Sequence, residues 1–461
     1  MRNCFVLAAC LLFALSAFAA NPGKDRHVTL DVQPRSAPSP ALKYQLLPEL
    51  AEMQPGNCIP AYLKCFCEQN NFFYNKDIVA ERERLVKCLL SDIKPGELKG
   101  YGGSATRQAD IAARHEICDW NLLPQIRSDG YMLLLPDLQQ LRMLAYALVV
   151  RGRGEIVDGD HDGAIRTLKT LFALARHTSE HPTLIGTLVG AAIAQHGCDL
   201  LEEFVQSPNS PNLYWALATF PTPPLDVRRS LSGERMIWET CFVTLVDHKR
   251  VWTPEDVQEG IKKSQEISQS ADLTADRRKE AGRWLASRVT DEAWLTAARQ
   301  FLIDSGYSED KVRQYPPHQV VFFKMHSKLR THRDESLKWM SLPYWQAEDG
   351  LREVSKVPHE MEDIICHSLG FGVERVRVAH VRFEQRLALL RLVEAVRLQA
   401  AANDGKLPAT RDDISAPIPA DPATGKSFAY QVDGTTASIE GRPLKMGMDT
   451  FHYRYEIRLR K

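Results

Sequence analysis

Apolar residues recur at helical spacing over most of the chain. Leu138, Leu141, Leu144, Ala145, Leu148 and Val149 follow one another at intervals of three and four, Gly159 breaks the run, and Ile165, Leu168, Leu171, Phe172 and Ala175 form a second stripe. Two amphipathic helices joined by a tight turn are predicted. Leu184, Ile185, Leu188, Val189, Ala192 and Ile193 predict a third, from about Thr183 to Val205, and its Gly186 and Gly190, one turn apart, mark a place for a close helix neighbour. Upstream, Val79, Leu85, Val86 and Leu89 predict a helix between Ile78 and Leu90, bracketed by turns at Pro55-Gly56-Asn57 and Lys94-Pro95-Gly96. Downstream, a second helical region runs from Leu225 to Ala402. Its helices are polar around residues 255–300, Tyr315-Pro316-Pro317 breaks them, and the last, near Phe383 to Ala402, carries Leu387, Leu390, Leu398 and interspersed arginines.

The period then changes from 3.6 to 2. Ser427 to Val432 and Thr435 to Glu440 flank Asp433-Gly434, a two-residue hairpin signal whose positive φ glycine supplies. From Phe451 to Leu459 apolar and polar residues alternate strictly, which predicts a half-buried strand whose apolar face docks on the preceding helix.

Gly152, Gly159, Asp160, Asp162, Ala164 and Ile165 give the first helix pair a resemblance to a tetratricopeptide unit, although Arg176 stands where that family's closing proline belongs and no second unit follows. The expected fold is mainly α: a multi-helix, tetratricopeptide-like bundle or irregular solenoid with a small C-terminal antiparallel β-sheet. The expected domains are a helical domain over residues 41–210, a second over 225–402 and the β region over 403–461, with the proline-rich stretch from Pro208 to Pro224 as boundary. A Pro/Ser-rich linker is expected over residues 20–40.

Composition sharpens this in three ways. With 461 residues, the chain is too long for one hydrophobic core. Basic and acidic residues balance at 58 each, which argues against a general nucleic-acid or anionic-membrane binder. Arg2, the apolar run from Cys4 to Phe18 and Ala17-Phe18-Ala19 have the form of a signal peptide over residues 1–19, which predicts cleavage after Ala19 and an exported, periplasmic or extracellular protein. Leu7-Ala8-Ala9-Cys10 has the form of a lipidation box but too short an apolar stretch before it. No later window is expected to be long and uncharged enough to span a bilayer, so no transmembrane segment is expected after cleavage.

In such a compartment the dense cysteines Cys58, Cys65, Cys67, Cys88 and Cys118 predict at least two disulfides, with free buried thiols and a metal site as alternatives. The Cys65-Phe66-Cys67 spacing does not suit zinc, and His115 is the first histidine near it in sequence. Asp158-Gly159-Asp160-His161-Asp162-Gly163 opens like a calcium-binding EF-hand loop, yet Lys169 stands where the closing glutamate is required, so a helix turn is expected instead. His177 and His181 lie at i and i+4 without the His-Glu-x-x-His order of zinc proteases, and Pro182 predicts a helix end beside them. The aromatic run from Trp339 to Trp345 is read as core packing rather than a ligand cage. No residue is assigned a catalytic, cofactor-binding or metal-binding role, and no cofactor is expected.

Several segments resemble a family of uncharacterised secreted helical proteins from planctomycete bacteria: Ala41-Leu42-Lys43-Tyr44 with Pro55-Gly56-Asn57, Cys118-Asp119-Trp120, Pro211-Asn212-Leu213-Tyr214-Trp215-Ala216-Leu217, and Leu342-Pro343-Tyr344-Trp345-Gln346-Ala347. The resemblance implies no activity. Leu407-Pro408 and the segment Asp421-Pro422-Ala423-Thr424-Gly425-Lys426-Ser427-Phe428-Ala429-Tyr430 resemble the C-terminal loop of type II secretion pseudopilins, though the chain lacks a prepilin leader. Three functions are open. The first is a helical scaffold of the cell envelope with a protein as partner. The second is a secreted hydrolase using scattered residues such as His359, Glu360 and Asp363. The third is an envelope-assembly component allied to pseudopilins.

Overall fold

A computed structural model describes residues 25–130, 133–241, 246–270, 274–356, 358–368, 372–446 and 449–460. The expected signal peptide lies outside them. Helix accounts for 61% of the structure, and the mainly α class expected from the periodicity is the one adopted. Along the chain, β1 (Arg26–Val32) and β2 (Gln54–Asn57) precede α1 (Cys58–Glu68) and β3 (His115–Ile117). Three long helices follow: α2 (Pro136–Val157), α3 (His161–Ser179) and α4 (Leu184–Gln206). Further on come α5 (Ala275–Arg288), α6 (Glu292–Asp304), α7 (Pro317–Leu337) and α8 (Met361–Ser368). The 30-residue α9 (Val373–Ala402) leads to β4 (Ala429–Asp433), β5 (Thr436–Glu440) and β6 (Tyr453–Leu459).

Two compact units result. One holds the described residues up to Asn121, Leu135–Ser232 and everything from Arg375 onward; the other holds Leu122–Leu134 and Gly233–Glu374. The expected boundary at residues 208–224 therefore falls inside the first unit.

In the first unit α2 and α3 form the expected hairpin. Asp160 caps α3 by accepting from the Gly163 N–H at 2.9 Å, and Thr183 caps α4 by accepting from Gly186. The anticipated close approach occurs at Gly190, where a Cβ would lie 2.7 Å from both the Ala175 carbonyl oxygen and the Ser179 nitrogen of α3. By length and composition alone α4 could cross a membrane, contrary to the expectation that no later window would qualify; 67% of its apolar window is buried within the fold, as in a core helix.

The strands of the main sheet lie in the order β1-β6-β5-β4, with β6 antiparallel to β5 and parallel to β1.

 Residues 26–32, read above as linker, thus form an edge strand, and Val28, Leu30 and Val32 of β1 alternate as a half-buried strand should. The hairpin between β4 and β5 turns on Gly434-Thr435, one residue later than expected, because Asp433 pairs with Thr436; Gly434 takes the positive φ, 57°. The apolar face of β6 is buried as predicted, with Tyr455 and Ile457 fully inaccessible. Its contacts with α9 run through polar side chains: Arg382 donates to the Tyr453 hydroxyl at 3.1 Å, and Arg386 reaches the Tyr455 hydroxyl at 3.4 Å.

A buried ion network closes this core. Arg386 donates to Glu202 at 2.6 Å, Asp199 at 2.6 Å and Gln195 at 3.0 Å of α4, and Arg26 of β1 reaches Glu202 at 2.7 Å. Arg397 is likewise enclosed, bonded to Glu394 at 2.8 Å, to the Gln33 carbonyl at 3.0 Å and to the Ser210 carbonyl at 2.9 Å. Arg386 and Arg397, two of the arginines interspersed along α9, are therefore core residues satisfied by several acceptors.

The second unit is built around aromatic rings. Leu295, Leu302, Val312, Tyr315, Val320 and Phe323 form its core, with Trp294, Phe301 and Phe322 packed against it. Trp339 lies against Gly350, where a Cβ would come within 2.2 Å of the indole, and Tyr344 is buried, as the core-packing reading requires; Trp345 instead remains 47% exposed.

Candidate functional site

The expectation of two or more disulfides is not met: Cys58, Cys65, Cys67, Cys88, Cys118, Cys198 and Cys366 are all free thiols. The reason for most of them is helical geometry. Cys65 and Cys67 point to opposite sides of α1, Cys65 into the core, where its S–H meets the Ala105 carbonyl at 3.3 Å, and Cys67 into solvent. Cys88 lies elsewhere, 3.7 Å from an Arg153 nitrogen.

Cys58 and Cys118 differ from the others because the fold brings them together. Strands β2 and β3 pair in parallel with Asn57 opposite Ile117, so each cysteine directly follows a paired residue. Gly56 permits this approach. Its φ is +138°, and a Cβ there would lie 2.6 Å from His115 Nδ1. The Asn57 carboxamide then clamps the other segment, donating to the Asp119 carbonyl at 2.7 Å and accepting from the Asp119 N–H at 3.0 Å, while the same oxygen caps α1 through Ile59 N at 3.2 Å.

His177, in the last turn of α3, completes the cluster. Its ring Nδ1 lies 3.0 Å from the hydroxyl of Tyr62, one turn beyond Cys58 on α1. Its carbonyl accepts from the Trp120 indole N–H at 3.1 Å and from the Cys118 S–H at 3.5 Å. Arg229 donates to the Cys118 carbonyl at 2.5 Å. A hydrogen bond from the Cys118 thiol, opposed by burial and aided by His177, lowers the Cys58 thiol to about 6. The Cys118 thiol moves the opposite way, raised by that same hydrogen bond and by burial. Burial alone has the reverse effect on the other enclosed thiols, since it is the leading cause pushing Cys65 and Cys198 up to about 12. Within the pair Cys118 is therefore the thiol that keeps its proton and donates it, and Cys58 the one that gives its proton up more readily.

The other candidate groups are committed elsewhere. Asp158 accepts from the Gly96 N–H at 2.6 Å, Asp160 caps α3, and Lys169 pairs with Glu52 at 2.6 Å, so the EF-hand-like segment works as a helix turn. His181 does not converge with His177. It is buried edge-on against Trp120, its Nδ1 accepts from the Thr183 N–H at 3.2 Å, and burial lowers it to about 3. His359 and Glu360 are exposed ahead of α8, and Asp363 pairs with Lys328 at 2.9 Å. These three assemble no site. In the pseudopilin-like segment, Asp421 accepts from Ala423 N at 2.8 Å, Gln385 Nε2 at 3.0 Å and Arg442 N at 2.8 Å, a sufficient structural role.

A polar cleft of about 510 Å³ lies where residues 35–44 and 209–211 meet the turn between α2 and α3. Arg35, Lys43, Tyr44, Asp160, His161 and Asp162 line it. Arg35 donates to the Asn209 carbonyl at 2.7 Å and His161 Nε2 lies 3.1 Å from the Ser207 hydroxyl, which leaves Lys43, Tyr44 and Asp162 at the solvent side. No family model matches the chain, and no curated protein or solved structure is found to be similar to it.

Proposed function

We propose that this is an exported helical scaffold of the cell envelope that binds another protein, holding an extended polar segment of its partner in the cleft beside the tetratricopeptide-like hairpin. The observation that carries this reading is the cleft itself. Its walls come from the turn between α2 and α3 and from residues 35–44 and 209–211, and both cationic and anionic side chains face solvent there. Extended backbone offers donors and acceptors in alternation, and a lining of mixed charge can meet both. The leader from Arg2 to Ala19 supports export.

Charge reversal tests the reading without disturbing the core. A photo-crosslinking residue at position 44 should capture a partner in envelope extract of the source organism, and Lys43→Glu with Asp162→Lys should abolish that product. An undiminished product in the reversed variant would exclude the cleft as the binding face. N-terminal sequencing of the exported protein should begin at Ala20.

A further inference from the structure

The Cys118 thiol hydrogen-bonds to the Cys58 sulfur, so the two side chains already meet. Cys58 and Cys118 follow directly on the β2–β3 pair, and the Asn57 clamp on Asp119 holds the two segments together. Cys58 is fully buried, whereas Cys118 is half-buried and has a path to solvent. We propose that Cys58 and Cys118 form a redox-active dithiol that closes by exchange with an incoming disulfide, Cys118 meeting the donor and Cys58 resolving the adduct.

The balance is that of thiol–disulfide exchange. The Cys118 S–H passes its proton along the hydrogen bond to the Cys58 thiolate, and the Cys118 thiolate so formed attacks one sulfur of a donor R–S–S–R′. A Cys118–S–R bond forms, the donor S–S bond breaks, and R′–S⁻ leaves to be protonated by water. The Cys58 proton then passes to the His177 imidazole, and Cys58 attacks the Cys118 sulfur. The Cys58–Cys118 bond forms, the Cys118–S–R bond breaks, and R–S⁻ leaves with the proton that His177 held. Two electrons pass from the dithiol to the donor, which ends as two thiols. The new bond ties the start of α1 to the segment that touches the end of α3, so the redox state of the pair sets how firmly one end of the hairpin is held.

Glutathione disulfide and an oxidised dithiol oxidoreductase serve as the two donors, read by alkylation and peptide mass spectrometry on the full chain. Cys67, the exposed thiol, is replaced by Ser throughout. The reference protein should lose two alkylatable thiols and yield a peptide linking Cys58 to Cys118, and the donor that closes it faster identifies the source of the disulfide. Cys58→Ser should accumulate a stable glutathione adduct on Cys118, and Cys118→Ser should leave Cys58 unmodified. Closure should be about tenfold faster at pH 7 than at pH 5, because the first proton leaves near 6, and His177→Gln should move that midpoint upward. Far-ultraviolet circular dichroism confirms that each variant is folded. Absence of the linked peptide with both donors, or an adduct on Cys58 in place of Cys118, would overturn the proposal.

Discussion

The two units of this chain use arginine and burial differently. In the first, 13 of the 19 residues of α3 are buried; in the second, Ala281 alone is buried among the 14 residues of α5. Each unit also encloses an arginine almost completely. Arg386 of the first unit faces Glu202, itself only 5% exposed, whereas Arg333 of the second faces Asp334 and Glu239, which are 47% and 54% exposed. A buried cation with a buried partner binds distant parts of the chain together. A buried cation with surface partners does so more weakly, because water can solvate the carboxylates without it.

The sharpest way to break this comparison is to remove the cation while keeping its volume. Arg386→Met leaves Glu202 charged and enclosed, and should cost about 3–5 kcal/mol. Arg333→Met leaves two solvated carboxylates and should cost about 1 kcal/mol. Regional hydrogen exchange on the full chain reads both, and equal losses would dissolve the distinction. Within the first unit, Tyr455→Asp sets a second carboxylate against Glu202 and should cost about 3 kcal/mol or more, while Arg454→Asp, on the open face of the same strand, should stay within about 1 kcal/mol.

Much of the local architecture was legible from sequence, and long-range pairing was not. The α2–α3 hairpin could be read because an apolar stripe and a Gly-Asp turn are both encoded within a few residues, and β6 because strict alternation has one structural meaning. Strand β1 carries the same alternation at Val28, Leu30 and Val32, but a proline-rich segment follows it and its partner lies at the far end of the chain. The same limit hid the thiol pair. Cysteine density drew attention to the right residues, yet which two would meet depends on a short parallel pairing between β2 and β3 that neither strand announces. The polar docking face of α9 was missed because arginines at helical spacing look like a solvated stripe until several acceptors from other elements are brought to them.

Acid sharpens the comparison by a smaller amount. Burial lowers His181 in the first unit to about 3 and His326 in the second to about 4, from an ordinary 6.5. The folded value lies below the unfolded one, so the unfolded chain takes up the proton first. The stabilisation is full above pH 6.5 and is lost as pH falls, ending near 3 for His181 and near 4 for His326. Each pH unit inside the window costs about 1.4 kcal/mol per histidine. Between pH 7 and pH 5 the first unit of His181→Gln should therefore lose about 2 kcal/mol less than the unaltered protein, read by regional exchange at the two pH values. An unchanged difference would mean that His181 takes up its proton in the folded state.

The smallest expected effect separates the two ways of packing a helix. Glycine at position 190 is required by the α3 backbone 2.7 Å from where its Cβ would stand, but glycine at position 282 of α5 has nothing within 4 Å of that point. A glycine inside a helix and free of close neighbours costs backbone entropy without a packing return. Gly282→Ala should therefore stabilise α5 by about 0.5–1 kcal/mol, visible as slower exchange in that helix, whereas Gly190→Ala must push α4 away from α3 and should destabilise both. If Gly282→Ala also destabilises, α5 is packed as tightly as α4, and the difference between the units lies in their ion pairs alone.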